Sequence, residues 1–277
     1  MSRAKKIFLA LTAIVFIVDI VLVMKATKTG FFSEPETTEN LINMPSYEIT
    51  TGEYVSEYPE ETTTINMWRP EKPDVSIIIN IEYYNQDNFP TFCEGVTTLM
   101  ALRHMGYNIT IDQLIEVYFP HFELSIKGGK LVGENPNEFF IGNPRSSTAK
   151  GCYAPVVREA LKKIAGEAAV HDLTGMEVPD IITQYVNKGV PVIFWATQGM
   201  RASTVGDSWY IERTGETFTW KGMEHCLLLA GSDEDKYYFY DPLNNHGIIS
   251  YDKELVEKRY EEMGKMAVAL VKRGDGN

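Results

Sequence analysis

An α+β fold, with a helical N-terminal half packed on an antiparallel sheet from the C-terminal half, follows from three features of the 277-residue chain. Between Cys93 and Ile164, apolar residues recur at three-to-four-residue spacing, and Pro and Gly punctuate the runs as helix starts and stops. From Pro191 onward the pattern changes to short β-branched and aromatic runs separated by turn residues. The helices precede the strands instead of alternating with them, which is the order of an α+β layout and not of a parallel α/β sheet. No internal repeat is visible.

Composition is compatible with one medium-sized domain plus appendages. With 44% hydrophobic and 12% aromatic residues the chain can bury a substantial core. The net charge is -12. Residues 1–28 hold five basic groups (Arg3, Lys5, Lys6, Lys25, Lys28) against the single acid Asp19, so the remainder is more acidic still. Such a charge argues against nucleic acid or an anionic lipid surface as a partner and leaves neutral or cationic peptides open.

The N-terminus reads as a targeting segment. Arg3, Lys5 and Lys6 precede an apolar run from Ile7 to Met24, interrupted by Asp19. A run of that length is near the lower limit for crossing ~30 Å of hydrocarbon. The flank VLVMKATKTG offers no small-x-small cleavage site and no cysteine for lipidation. Residues 1–28 are therefore predicted to be a cytoplasmic flank and transmembrane signal-anchor, with a cleaved signal peptide as the alternative. The bulk of the chain is then extracytoplasmic at the cell membrane, or secreted if cleavage occurs. Residues 29–74 (EPETTEN, EYPEETTT) have few apolar clusters and no usable period, which describes a flexible Thr/Glu/Pro-rich stalk.

The folded domain is assigned to residues 75–277. VSIIINIEYY is β-branched and aromatic and predicts a strand, followed by the turn NQDNFPT. A helix then begins at Cys93, with Val96, Leu99, Met100 and Leu102 on its apolar positions and Gly106 as its stop. Thr110 and Gln113 form a capping box for a short helix, IDQLIEVYF, ended by Pro120. Residues 121–151 turn to Gly, Asn, Pro and Ser and are predicted to be a long loop, a feature more often functional than idle in a compact domain. Pro155 opens a third helix, PVVREALKKIAG, and VPDIITQYVNKG is a fourth, capped by Gly189. PVIFWAT, HCLLLAG, YYFYDP, GIISY and MAVALVK read as strands, SWYIERTGETFTW as a hairpin, and Lys253–Glu262 as a final helix.

Four side chains in this scheme form a chemical constellation. Cys93 lies in the first turn of its helix, where unpaired N–H groups and the positive end of the macrodipole favour a thiolate. His225 opens the HCLLLAG strand and Asp241 ends YYFYD; if those strands pair through the SDEDK turn, imidazole and carboxylate can meet. A carboxylate on one ring nitrogen fixes the tautomer and leaves the other nitrogen to take the thiol proton. Gln86, upstream at the end of the first strand, can join the backbone N–H of Cys93 in an oxyanion hole. Singly, a buried cysteine, a core histidine, a turn glutamine and an Asp-Pro strand terminator are each ordinary. Their joint order, nucleophile then base then orienter at this separation, is that of papain-like enzymes.

The segment YYNQDNFPTFCEGVTTLMALRHMGYNITIDQL resembles the cysteine-containing segment of the bacterial peptidase family C-39-like proteins. These are double-glycine-peptidase relatives within the papain-like cysteine peptidases. NPNEFFIGNPRSSTAKGCYAPVV and EHCLLLAGSDEDKYYFYDP are similar to two further blocks of that family, so the likeness spans most of residues 75–270. The resemblance implies a papain-like cysteine peptidase fold. It also implies Cys93 as nucleophile, His225 as general base and acid, Asp241 as the orienting carboxylate and Gln86 as the oxyanion donor. The resemblance does not extend to the transporter domains of the leader-cleaving members, and their substrate is not carried over.

The chain departs from that pattern at three points. Phe92 stands where such sequences commonly have Gly, a bulk expected to narrow the approach to the thiol. Glu94 follows the cysteine, and its charge opposes a thiolate next door. Gln86 lies one residue nearer the cysteine than the family spacing.

Of the other cysteines, Cys226 is expected to face the core if His225 faces the cleft, since strand neighbours point to opposite faces. Cys152 is expected to pack in the middle segment. His104, His121, His171 and His246 show no HExxH or CxxC context, and there is no phosphate-binding glycine loop, so neither metal nor cofactor is expected. The function predicted is a cysteine peptidase or amidase acting on a peptide or a cell-wall peptide stem. A catalytically inactive binding or scaffold domain, and acyl transfer by the same triad as in transglutaminase-like relatives, are the alternatives.

Overall fold

The computed structural model describes residues 77–244 and 247–272. The candidate anchor and stalk lie outside the described residues, as does His246. By its internal contacts the chain divides into Met1–Asn66 and Met67–Asn277, and the description concerns the second unit. Among the described residues no helix is long and apolar enough to cross a membrane.

The centre is an antiparallel sheet of seven strands. Strands β7 (Val192–Thr197), β10 (Glu224–Ser232) and β13 (Ala267–Leu270) fill its middle. β11 (Lys236–Tyr240) and β12 (Ile248–Asp252) extend it on one side, and β6 (Val170–Asp172) closes the other. β7 is buried at every residue, which is why VIFWAT reads as an unbroken apolar run and not as an alternation. The expected first strand is short: β1 is Ile77–Ile78, paired with Ser232 and Gly231 at the far end of β10. Residues 79–81 stay beside the sheet through single bonds, Ile79 N–H to Ala230 O at 2.8 Å and Ile81 N–H to the Tyr240 hydroxyl at 3.1 Å.

Helices cover both faces. Phe194 stacks on Tyr260 of α5 (Lys253–Glu262), with ring centroids 4.3 Å apart, while its neighbour Trp195 donates to the Cys152 carbonyl at 3.2 Å. Strand alternation therefore sets α5 on one face. The other face carries Cys152, two residues before the helix α3 (Ala154–Ala165), and the helix α1 (Cys93–His104). Helix α1 is buried continuously from Cys93 to Leu102, so it is the central helix of the domain and not an amphipathic surface element. Pro155 sits in the first turn of α3, as expected.

Two expectations are corrected. IDQLIEVYF is not a uniform helix. The Thr110–Gln113 capping box is present, with the Gln113 N–H donating to Thr110 Oγ1 at 3.1 Å and the Thr110 N–H to Gln113 Oε1 at 2.9 Å, but it starts a single turn, α2 (Ile111–Gln113). That turn widens into a π-helical segment, Leu114–Tyr118, which buries Leu114 and Ile115 before Pro120 ends the run. Residues 121–151 are not a structureless loop either. They hold β2 (His121–Phe122), β3 (Ser125–Lys127), β4 (Lys130–Gly133) and β5 (Phe140–Ile141). β3 and β4 join the hairpin of β8 (Thr204–Ile211) and β9 (Glu216–Gly222) in a second, four-stranded sheet, and β2 pairs with β5. Gly and Pro mark the turns between short strands there. The partner of β4 is β8, about eighty residues away, and no local pattern announces such a pairing. Helix-then-sheet order thus holds only in outline, since β1 to β6 precede α4 (Val178–Gln184).

Candidate active site

The pairing assumed for His225 and Asp241 is present. β10 runs antiparallel to β11, and β11 stops at Tyr240, opposite Leu228. The first residues of β10 consequently have no β11 partner, and Asp241 turns into that space. His225 Nε2 and Asp241 Oδ1 are 2.7 Å apart, and both residues are almost wholly buried, at 2% and 4% exposure. The Leu243 N–H donates to the same oxygen at 2.8 Å, fixing the carboxylate from its far side. Tyr83 braces the corner, its hydroxyl donating to the Asp241 carbonyl at 3.1 Å and to the Asn244 carbonyl. Because Nε2 is taken by the carboxylate, Nδ1 is the ring nitrogen left for a reacting group.

Gln86 is held to the same corner by its main chain, whose N–H donates to the Pro242 carbonyl at 2.9 Å. Its amide nitrogen donates to the Pro90 carbonyl at 2.9 Å, across the turn that leads into α1, and its Oε1 is buried without a hydrogen-bond partner. Turning the amide over would set two acceptors against each other, so the bond to Pro90 fixes its orientation. The amide has a second N–H free for another acceptor.

Cys93 is the first residue of α1, as read from the sequence. Its thiol donates to Glu94 Oε2 at 3.5 Å, and among the described residues no hydrogen bond joins it to His225. Alternation along β10 explains the arrangement. Glu224 and Cys226 point to one face of the strand and His225 to the other, and the neighbours of the sulfur are Glu94, Glu224 and Cys226. Burial first, then the nearby Glu94 and Glu224 carboxyls, push the Cys93 thiol well above its ordinary range, while the backbone N–H of Cys226 works the other way. Burial thus opposes the thiolate that the helix terminus favours.

Phe92 does not crowd the thiol. Its ring is wholly buried, meeting Phe119 and Phe140 edge-on at 5.1 and 5.3 Å between centroids. Space for it comes from Gly95, where a Cβ would fall 2.0 Å from the ring. The sequence thus compensates for a bulky residue before the cysteine with a glycine after it.

Sequence reasoning missed Glu224, whose residue is only partly buried but whose Oε1 is buried without a partner. Its place beside His225 and its even-numbered phase with Cys226 were the available signal. Cys93, Glu94 and Glu224 bring ligand-type atoms within 4.8 Å of one another. The Cys93 thiol donates to Glu94, and Glu94 also accepts the Cys152 N–H. All three cysteines are free, and Cys152 and Cys226 are fully buried, as expected for packing residues. His104, His121 and His171 bond to the Gly189 carbonyl, the Phe119 carbonyl and the Tyr185 hydroxyl, each on its own.

No curated protein matches the chain. Among solved structures, the fold is similar to that of a Bacillus anthracis protein named, provisionally, as a C39-like peptidase. The two are 24% identical, with a TM-score of 0.61 over 72% of this chain and 99% of that one. The sequence profile of the Peptidase_C39 like family matches residues 78–268, nearly the whole described domain. Family and fold together suggest a cysteine-type peptidase, and the chain belongs to the Peptidase_C39 like family.

Proposed function

We propose that the protein is a membrane-tethered, extracytoplasmic cysteine peptidase or amidase, with residues 1–28 as anchor, 29–74 as stalk and 75–277 as the catalytic domain. Cys93 is the nucleophile. His225 Nδ1 takes the thiol proton as Sγ attacks the substrate carbonyl carbon, and Asp241 holds the ring and the imidazolium that forms. The second N–H of Gln86 and the Cys93 backbone N–H stabilise the oxyanion. Collapse breaks the C–N bond, and the imidazolium protonates the leaving amine. Water, deprotonated by His225, then cleaves the thioester and restores the thiol. Substrates are peptides, with a cell-wall peptide stem fitting the extracytoplasmic placement.

The observation that carries this reading is the buried 2.7 Å bond between His225 Nε2 and Asp241 Oδ1, which orients the ring and spares Nδ1 for a reacting group. A rival reading, a scaffold that keeps the fold without turnover, is favoured by the raised thiol and its bond to Glu94. Alkylation of Cys93 by a thiol-reactive peptide probe separates them. Fast, pH-dependent labelling that falls at least tenfold in His225→Ala is expected of the enzyme, where the imidazole raises the thiolate fraction. Slow labelling, indifferent to that substitution, would leave the scaffold.

A further inference from the structure

The tip of α1, the segment before α3 and the start of β10 enclose Glu94, whose side chain is wholly buried. Its two oxygens do different things. Oε1 accepts the Cys152 N–H at 2.5 Å, and Oε2 accepts the Cys93 thiol at 3.5 Å. The neighbouring chain is shaped around the carboxyl. Gly151 has φ of +125°, and a Cβ there would lie 2.3 Å from Glu94 Oε1 and 3.3 Å from Glu224 Oε2. Glu224 approaches from β10 with its buried, unpartnered Oε1. The other titratable groups around the cluster are Cys152, Tyr153 and Cys226. A carboxyl in this position is more than a helix-cap charge, because it joins two segments and the sulfur at once.

We infer that Glu94 is a positioning residue of the site. Its carboxyl fastens the Gly151–Cys152 segment to the helix tip and holds the Cys93 thiol, as a donor, on the Cys226 face of β10, tuning the readiness of the sulfur to ionise. The thiol rests against Glu94, and the peptidase reading requires it to turn from there toward Nδ1 of His225. Burial pushes the Glu94 carboxyl up to about 7, against the pull of the Cys152 N–H. Below that pH the neutral carboxyl leaves the thiol unopposed by charge; above it a buried negative charge beside the sulfur resists thiolate formation. The consequence for turnover rests on the peptidase reading, but the effect on the sulfur does not.

The test uses the full chain and iodoacetamide, with labelling read at the Cys93 peptide by mass spectrometry, since Cys152 and Cys226 are also thiols. Glu94→Gln keeps the length of the side chain and an oxygen for the Cys152 N–H, removes the charge, and sets an N–H₂ donor against the sulfur in place of the oxygen that accepted the thiol proton, two changes that both favour the thiolate. The midpoint of its alkylation–pH profile is expected to fall by roughly one unit, about tenfold in rate at a fixed pH below the midpoint. A folded Glu94→Gln with an unmoved midpoint overturns the inference and leaves Glu94 a structural clamp. If that variant does not fold, Glu224→Gln decides: a lower midpoint supports the inference and an unchanged one overturns it. Labelling needs no substrate, so a downward shift in Glu94→Gln together with indifference to His225→Ala keeps this inference while removing the peptidase.

Discussion

The two halves of the site are built to different degrees of readiness. On the sheet side, His225 and Asp241 are already joined at 2.7 Å, and the Leu243 N–H and the Tyr83 hydroxyl lock the carboxylate's corner. On the helix side, the Cys93 thiol is buried and bonded to Glu94, and burial with the nearby carboxyls pushes it well above its ordinary range. Orientation of a base is a matter of hydrogen-bond geometry, and two strand ends supply it at no further cost. Activation of a thiol is a matter of charge, and burial among carboxyls works against it. The difference teaches that a helix N-terminus and a neighbouring imidazole set up a reactive cysteine only when desolvation and adjacent acids permit.

The comparison is broken most directly at Asp241. Asp241→Ala leaves His225 unoriented and the Leu243 N–H without its acceptor, and it is expected to lower kcat/KM on a peptide substrate on the order of 10⁴-fold. Asp241→Asn should do far less, within roughly a hundredfold of wild type, because Cys-His-Asn sites use that amide. Both groups facing Oδ1 are N–H donors, so the amide oxygen is held toward them and the imidazole keeps its tautomer. Equal losses for Ala and Asn would show that the carboxylate charge, and not orientation, is what the sheet side supplies.

Much of the sheet side was legible in the sequence. HCLLLAG and YYFYDP carry the β-branched and aromatic content of strands, SDEDK is a turn, and their adjacency forces an antiparallel pair. From that pairing the meeting of His225 with Asp241 follows. Period-two alternation also assigns Cys226 to the face opposite His225. The helix side was legible only in outline. Cys93 as first residue of a helix, and Gly106 as its stop, come from local pattern. The turn of the sulfur toward Glu94 depends on Gly151 and Cys152, which the fold brings in from the middle segment, and on Glu224, which arrives on β10. Such contacts are set by tertiary packing that no local periodicity encodes. The same holds for β3 and β4, whose strands are recognisable only once β8 is beside them.

Phe92 offers the next test, on the helix side. Its ring packs edge-on against both Phe119 and Phe140. Phe92→Ala is expected to destabilise the domain by about 3–5 kcal/mol in urea unfolding, through lost transfer energy and a cavity. If Phe92 instead acted mainly as a gate over the thiol, the substitution would speed alkylation of Cys93 with little change in stability.

Gly95→Ala should have the smallest effect and gives the sharpest account of how the helix tip tolerates a bulky residue there. The added methyl would lie 2.0 Å from the Phe92 ring, so either the ring or the first turn of α1 must shift. Overpacking of that kind costs about 1–3 kcal/mol, partly offset by the roughly 1 kcal/mol that Ala gains over Gly in a helix interior. In the Phe92→Ala background the clash disappears and only the propensity gain remains, so there Gly95→Ala should be neutral or stabilising. The two substitutions are thus expected to couple by at least about 1 kcal/mol in a double-mutant cycle, as residues in contact do. Additive losses would mean that Gly95 is required for something other than room for the ring, and that the compensation between these two positions is not what sets Cys93 in place.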